Sequence, residues 1–179
     1  MINRRMLATT AAWLAFSAAL PMAALAAEET PDALVKRVSA DVLDTIRNDK
    51  TLKSGDVARV SALVDKVVMP HVNFQRMTAA AVGPKWREAT PEQKQRLQAE
   101  FKALLIRTYS GALAQVNDQT VVVKPMRAAA GDKDVLVRTE VRGKGDPIQL
   151  DYRLEQKDDG AWKIYNLNVL GVWLVETYR

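Results

Sequence analysis

The feature that most constrains this chain is a long stretch of helical periodicity between residues 82 and 116. Thr90, Pro91 and Gln93 have the spacing of a capping box with proline in the first helical turn, which predicts where the helix begins. Apolar side chains then recur every three or four residues opposite a polar face. This apolar stripe comprises Leu97, Phe101, Leu104, Leu105, Tyr109, Ala112, Leu113 and Val116. Ile106 lies off the stripe, so the second half of the helix is expected to be covered on two sides.

Such a helix is roughly 39 Å long at 1.5 Å per residue, so the rest of a small domain has to pack around it. Three shorter helices are predicted before it. The first begins at Thr30 and Pro31, the second is capped by Ser54, and the third runs from a capping Asn73 to a stop at Gly83. The chain therefore begins with a group of helices.

After residue 116 the periodicity changes from helical to alternating, which is typical of strands. We predict strands over residues 120–126, 134–142, 147–156 and 162–169, joined by turns rich in glycine and aspartate, and a final helix within residues 172–179. Helices followed by an antiparallel meander of about four strands make the expected fold class α+β.

The alternation gives the predicted sheet an apolar face and a polar face. On the two central strands the apolar face carries Val135, Val137, Thr139, Val141, Ile148, Leu150, Tyr152 and Leu154. The polar face of the same strands carries Leu136, Arg138, Glu140, Arg142, Gln149, Asp151, Arg153 and Glu155. We expect the helices to cover the apolar face and solvent to cover the polar one.

The first 26 residues are predicted to be a secretory signal peptide. Arg4 and Arg5 precede an apolar run that is too short to span a bilayer, and Ala24-Leu25-Ala26 is a small-residue cleavage site. Cleavage after Ala26 would leave residues 27–179 as a single α+β domain. The chain has no cysteine, so we expect neither disulfides nor lipid attachment at the cleavage point.

Composition argues against several functional classes. The signal peptide contains two of the 26 basic residues and no acid, so 24 basic and 21 acidic residues remain, interleaved along the chain. This pattern does not indicate a nucleic-acid surface. With one histidine, no cysteine and no calcium-loop motif, we predict no metal. His71 is interpreted as a residue at a helix start, and Asp151 and Glu155 as part of a solvated surface, so no catalytic site is expected.

Several short motifs together resemble the toluene-tolerance family, the periplasmic phospholipid shuttle of the Mla system. They are Met69-Pro70-His71-Val72-Asn73-Phe74 with Met77, Gly83-Pro84-Lys85-Trp86-Arg87, Ala89-Thr90-Pro91-Glu92-Gln93, Phe101 to Leu113, Trp162-Lys163-Ile164-Tyr165-Asn166, and Leu170 to Arg179. Asn73 stands where the family usually has aspartate. Members normally continue beyond the residues that correspond to Tyr178 and Arg179.

The resemblance implies a carrier whose long central helix packs on a curved antiparallel sheet and encloses an apolar cavity for phospholipid acyl chains. The lining residues expected from pattern and resemblance together are Phe74, Met77, Trp86, Phe101, Leu105, Tyr109, Val137, Leu150, Tyr152 and Leu167. Glycerophospholipid is the implied cargo and no cofactor is expected. The implied partners are an inner-membrane ABC transporter complex with an MCE-domain protein and an outer-membrane lipoprotein associated with a porin. The carrier would be a periplasmic monomer that helps to maintain outer-membrane lipid asymmetry.

Three alternatives remain open at this point. Periodicity alone does not distinguish a filled core from a cavity, so the apolar residues are also compatible with an ordinary interior. A small enzyme with a nuclear transport factor-like fold would have an apolar pocket, but it would need an acid or base on the apolar face. A carrier of another lipid, such as a hopanoid, is compatible with the same residues.

Overall fold

The computed structural model describes residues 29–129 and 131–179. The predicted signal peptide, residues 1–26, lies outside the described residues. The helices are α1 (Pro31–Asn48), α2 (Lys50–Lys53), α3 (Val57–Leu63), α4 (Phe74–Val82), α5 (Pro91–Ala114) and α6 (Leu174–Thr177). The strands are β1 (Thr120–Val123), β2 (Asp134–Arg142), β3 (Ile148–Gln156), β4 (Trp162–Val169) and β5 (Val172–Trp173). The order of elements confirms the α+β class.

The starts of α4 and α5 are set by the residues predicted to cap them. At α5 the Thr90 hydroxyl accepts a hydrogen bond from the amide of Gln93 (3.3 Å), and the Gln93 side chain accepts one from the amide of Thr90 (2.8 Å). At α4 the Asn73 side chain accepts from the amide of Arg76 (3.0 Å). Gly83, with a φ of 73°, ends α4 in a backbone conformation that favours glycine.

The prediction that Ser54 caps the second main helix is wrong. The cap of α3 is Asp56, whose carboxylate accepts hydrogen bonds from the amides of Ala58 and Arg59. The Ser54 hydroxyl instead donates to the carbonyl of Thr51 (2.7 Å), at the end of the short helix α2 that the pattern did not predict. Serine and aspartate both suit a cap, and a helix of four residues is too short to show periodicity.

The chain does not leave the helical conformation directly after α3. A π-helical turn covers Val64–Val68, and a 3-10 turn covers Met69–His71. The chain then meets the sheet, where Val72 bridges Ile164 and the amide of Asn73 donates to the Ile164 carbonyl (2.8 Å). This contact attaches the start of α4 to the edge of β4.

The sheet is an antiparallel meander in the order β1-β2-β3-β4-β5, with five strands instead of the four predicted. The additional strand β5 has two residues and pairs with the end of β4 through a tight turn. A two-residue strand has no alternation for a pattern to detect. The first strand ends at Val123, earlier than predicted, whereas β2 and β4 have the predicted bounds.

The strand register confirms the predicted division into two faces. Val135 lies opposite Leu154, and Val137 lies opposite Tyr152, so the predicted apolar residues of β2 and β3 share one face. α1 lies against β1 and β2, whereas α5 packs mainly on α2, α3 and α4. The long helix therefore reaches the sheet through side chains and not through close backbone approach.

The expectation that Asp151 is solvated is wrong, because only 7% of this residue is exposed. Asp151 lies opposite Asn168, and Asn168 lies opposite Trp173, so the added strand places an indole ring on the polar face. The guanidinium of Arg153 stacks over that ring at 4.2 Å from its centroid. One carboxylate oxygen of Asp151 accepts from the Gln149 amide group (2.9 Å). β5 therefore shields part of the face that the sequence marked as polar.

Candidate functional site

One end of the apolar sheet face is a filled core. It is formed by the start of β2, the end of β3 and the start of β4, and α1 covers it. The buried residues of this closed end are Leu34, Val35, Val38, Val135, Val137, Leu154 and Ile164. Val137 and Leu154 have no exposed surface. These residues are buried against one another, as in an ordinary protein interior.

The opposite end of the same face is only partly covered. We define the open end as Val141, Ile148, Leu150, Leu167 and Val169, which lie near one another in the register of β2, β3 and β4. None of these five side chains is buried, and Ile148 is 43% exposed. The open end therefore presents apolar surface that the described part of the chain does not bury.

A cluster of apolar side chains from α4, α5 and α6 borders the open end. Its buried members are Phe74, Met77, Ala81, Phe101, Leu174 and Val175. The rings of Phe74 and Phe101 stack with their centroids 5.7 Å apart, and Tyr178 meets Phe101 edge-on at 5.6 Å. Leu105 and Tyr109 of α5 pack against this cluster, as do Leu167 and Val169 of β4. This helical cluster thus connects the long helix to the sheet.

A second cluster fixes the other side of α5. Ile106 is buried with Ile46 of α1, Leu52 of α2, and Val60 and Leu63 of α3. The second half of α5 is therefore covered on two sides, as the position of Ile106 off the apolar stripe predicted. The helix is held in place by contacts that do not involve the open end.

The structure distributes the ten predicted lining residues over four places. Six belong to the helical cluster or pack against it: Phe74, Met77, Phe101, Leu105, Tyr109 and Leu167. Leu150 belongs to the open end, and Tyr152 packs against the closed end on the same sheet face. Val137 lies within the closed end. Trp86 lines a separate groove, where the Lys94 ammonium lies 5.7 Å from the centre of its ring. The assignment of these residues to a binding cavity stays a prediction.

Several neighbours of the site were not among the predicted residues. Leu174, Val175 and Tyr178 come from the end of the chain, and Val169 comes from the end of β4. The three- and four-residue spacing from Leu174 and Val175 to Tyr178 is a helical signal, but α6 has only four residues. Their contact with Phe74 and Phe101 depends on chain segments far apart in sequence.

Tyr109, Tyr152 and Thr139 are polar residues near the site that carry no charge at neutral pH. Burial raises the pKa of Tyr152 and of Tyr109 above the ordinary value of a phenol, so both hydroxyls remain protonated at neutral pH. Thr139 is fully buried, and its hydroxyl donates to the carbonyl of Leu150 (2.8 Å). An uncharged, largely apolar lining suits a hydrocarbon ligand better than an ionic one.

A polar network attaches α4 to the sheet on the opposite face. Glu155 accepts hydrogen bonds from the Asn73 amide group and from the Arg76 guanidinium, which also lies 3.4 Å from Asp134. The same guanidinium stacks on the ring of Tyr165. Burial alone would raise the pKa of Glu155, but the hydrogen bonds outweigh it and hold the pKa below its ordinary value. An aspartate in place of Asn73 would have no N–H group to donate.

Two surface grooves lie away from the apolar face. One, of about 600 Å³, includes Asp41, Asp44 and Asp49 in its lining, and the other, of about 570 Å³, includes Arg76, Arg87, Arg153 and Arg179. Each groove carries several charged side chains, and the second also has apolar ones, including Ala79, Ala80, Trp86 and Val175. Within residues 29–129 and 131–179, no group of three or more His, Cys, Asp or Glu side chains is placed to hold a metal ion. No helix in that part of the chain is long and apolar enough to cross a bilayer.

The sequence profile of the MlaC protein family matches residues 36–179. This chain belongs to the MlaC family. It is 30% identical over 168 residues to toluene tolerance protein ttg2D of Pseudomonas putida, covering 93% of this chain and 77% of that protein. It is 20% identical over 153 residues to the intermembrane phospholipid transport system binding protein MlaC of Haemophilus influenzae, covering 84% and 72% of the two chains.

A solved structure with the same fold strengthens the assignment to the MlaC family. The phospholipid-binding protein of Ralstonia solanacearum, solved in complex with a phospholipid, superposes with a TM-score of 0.80. It is 50% identical in sequence, and the alignment covers 85% of this chain and 83% of that one. These comparisons confirm the resemblance to the toluene-tolerance family drawn from the short motifs.

Proposed function

We propose that this MlaC-family protein binds a glycerophospholipid and carries it between the inner and outer membranes as the binding component of the Mla transport system. The observation that carries the proposal is the phospholipid bound to the Ralstonia solanacearum protein, which shares half of its aligned residues with this chain. The open end and the adjoining helical cluster support it, because they form a partly covered apolar region beside a separate, filled core.

The physical requirement for such a carrier is cover for the acyl chains. Each CH₂ group moved from water to an apolar environment contributes about 0.8 kcal/mol, so a diacyl lipid leaves a bilayer slowly unless a protein shields its chains. We assign this shielding to Leu105 and Tyr109 of α5 together with Leu150 and Leu167 of the sheet. The headgroup would remain at the mouth, where Lys and Arg side chains can contact its phosphate.

The proposed function involves binding and no covalent chemistry. The phenols of Tyr109 and Tyr152 stay protonated at neutral pH. The hydroxyl of Thr139 already donates its hydrogen bond to the carbonyl of Leu150. Asp151 and Glu155 lie on the other face of the sheet. The acid or base that a nuclear transport factor-like enzyme would need on the apolar face therefore has no counterpart among these residues.

The location and partners are part of the same proposal. The predicted signal peptide, cleaved after Ala26, would bring a monomeric carrier to the periplasm. There it would exchange lipid with an inner-membrane ABC transporter complex containing an MCE-domain protein. It would also exchange lipid with an outer-membrane lipoprotein–porin complex, and so maintain outer-membrane lipid asymmetry.

Native mass spectrometry tests the cargo directly. The full chain, with residues 1–26, would be expressed, purified from the periplasm without detergent, and measured intact and after solvent extraction. We expect a mass increase equal to one or more glycerophospholipids and an N-terminus at residue 27. A hopanoid adduct would replace the proposed cargo with another lipid. A ligand-free mass in a protein that melts cooperatively would contradict the proposed function.

A further inference from the structure

The groove of about 570 Å³ brings together arginines from four separate parts of the chain: Arg76, Arg87, Arg153 and Arg179. We call it the arginine groove. One side is formed by α4 and by the 3-10 turn that follows it, and the other side by β3, β4, α6 and the residue after Tyr178. Its volume is within the range of ligand-binding pockets. Like charges repel one another, so their convergence in one groove indicates a use for positive charge there.

Two of the four guanidiniums are already compensated within the protein. Arg76 is held by the network with Glu155 described above. Arg153 donates to Glu176 (3.3 Å) and stacks on the ring of Trp173. Glu176 is the only acidic side chain among the described residues that line the groove. These contacts fix Arg76 and Arg153 in place and use up the carboxylate of the lining.

The other two guanidiniums have no such partner. In the part of the chain that the structure describes, the side chains of Arg87 and Arg179 make no hydrogen bond, ion pair or ring contact. The ammonium of Lys94, which lies 5.7 Å from the centre of the Trp86 ring, has no carboxylate partner among the same residues. The groove therefore carries positive charge that these residues do not neutralise, and this charge favours an anionic ligand.

The rest of the lining indicates what kind of anion fits. Beside Arg87 lie the half-buried indole of Trp86 and the small or aliphatic side chains of Ala79, Ala80 and Val175. Arginine, tryptophan and tyrosine are the residues enriched at the centres of protein–protein interfaces. An inorganic anion would leave the indole and the aliphatic side chains uncovered, and a flat bilayer does not enter a concave groove. A polypeptide segment with both carboxylates and apolar side chains matches the whole lining.

The arginine groove lies directly behind the helical cluster. On α4, Met77 and Ala81 belong to the cluster, whereas Ala79 and Ala80 line the groove. Val175 of α6 belongs to the cluster and also lines the groove. The two helices therefore form a wall that the groove shares with the helical cluster, and a segment bound in the groove would contact both of them.

We propose that the arginine groove is the docking site for an acidic segment of a partner protein. Its carboxylates pair with Arg87 and Arg179 through charge-assisted hydrogen bonds, and an adjoining apolar side chain packs on Trp86. The proposal deepens the carrier function proposed above and rests on it, because a lipid carrier has to dock on the proteins with which it exchanges cargo.

Selection from a displayed library of short random peptides tests the chemistry of the groove. The wild-type protein would be the target, and the selected peptides would then be measured by isothermal titration calorimetry. We expect them to carry Asp or Glu beside an aromatic or aliphatic residue. Arg87→Ala should weaken their binding about tenfold, as expected for a central interface arginine, and high salt should weaken it further. Ala80→Glu, which adds a carboxylate to the lining, should weaken it as well.

The control is Arg107→Ala, which removes the same charge from an exposed position of α5 that lines neither groove. It should bind the peptides as the wild type does. Selection of no peptides, of basic or uncharged peptides, or of peptides that bind Arg87→Ala equally well would overturn the proposal.

Two further probes separate a protein partner from other anions. Inorganic phosphate that binds as tightly as the peptides would make the groove a simple anion site and overturn the proposal. Vesicles containing phosphatidylglycerol that bind wild type but not Arg87→Ala would overturn it in favour of a membrane surface. Native mass spectrometry tests the carrier function separately. Arg87→Ala should keep its phospholipid, whereas a ligand-free wild type would contradict the carrier function whatever the peptides show.

Discussion

The two ends of the apolar sheet face carry the same kinds of side chain but bury them to different extents. Leu154 at the closed end is fully buried, whereas Leu150 at the open end, on the same strand and the same face, is half-buried. The difference lies in the helices above them. α1 packs directly on β1 and β2, whereas α5 packs mainly on other helices. A shared hydrophobic pattern can therefore produce a filled core and a partly open apolar region in one sheet.

The two ends should contribute differently to stability and to binding. Side chains at the closed end are removed from water in the protein alone, so they stabilise the fold whether or not a ligand is present. Apolar surface at the open end is removed from water only when a ligand covers it, and a ligand that binds the folded state adds stability by mass action. Substitutions at the two ends should therefore have separable effects.

The largest effect on stability is expected from Leu154→Ala at the closed end. Truncating a fully buried leucine should lower the free energy of unfolding by about 2–5 kcal/mol, measured by urea denaturation. The matched variant Leu150→Ala at the open end should cost only about 1 kcal/mol, yet reduce the phospholipid retained after purification. Equal losses of stability in the two variants would remove the distinction between the ends.

A smaller effect on stability, with a larger one on cargo, is expected from Leu105→Asp. The new carboxylate would enter the half-buried contact between α5 and the helical cluster, where it has to be desolvated, at a cost of about 1–3 kcal/mol. Native mass spectrometry should show a protein with little or no bound lipid. The control is Leu104→Asp at the adjacent exposed position of the same helix, which is 39% exposed and should keep both its lipid and its stability. Normal lipid content in Leu105→Asp would contradict the placement of the site.

The smallest effect on stability is expected from Glu155, which links α4 to the sheet near the closed end through its bonds with Asn73 and Arg76. Glu155→Gln should lower the free energy of unfolding by about 1 kcal/mol at neutral pH, because the ion pair with Arg76 is lost. The folded-state pKa of Glu155 lies below its ordinary value of 4.5, so its contribution is complete above that pH and is lost as the pH falls through the lower folded-state value.

Thermal melts from neutral to acid pH measure this contribution. The difference in Tm between wild type and Glu155→Gln should shrink on acidification. Glu88→Gln serves as the control, because the pair of Glu88 with Lys85 is largely exposed and should contribute little at any pH. A difference that stays constant down to the lowest pH would show that Glu155 acts through packing and not through its charge.

Local signals accounted for most of the secondary structure. The capping box at Thr90, the cap at Asn73 and the alternation in β2 and β4 all depend on residues close together in sequence, and each was predicted. Serine and aspartate are equally suitable helix caps, so the sequence could not distinguish Ser54 from Asp56 as the residue that caps α3. Elements of two to four residues, such as α2 and β5, are too short for any periodicity.

The candidate site was less predictable than the fold. The structure brings Phe74, Met77 and Phe101 together in the helical cluster, and each is an apolar position of its helix, but their role in lining a binding cavity stays a prediction. The placement of Val137 in the filled core and of Trp86 beside a charged groove depends on which elements cover them. Asp151 is buried although the alternation marks its face as polar, and Trp173 joins the same face two strands away only because β5 turns back along β4.

The sequence by itself determined the longer helices and strands and which face of the central strands is apolar, because capping, turn preference and periodicity act over a few residues. It also carried enough family-specific motifs to indicate a lipid carrier. Only the tertiary structure decided which part of the apolar face is filled and which is open. That outcome depends on the position of α1 relative to α5, and hydrophobic burial, being non-directional, favours any arrangement that covers apolar surface.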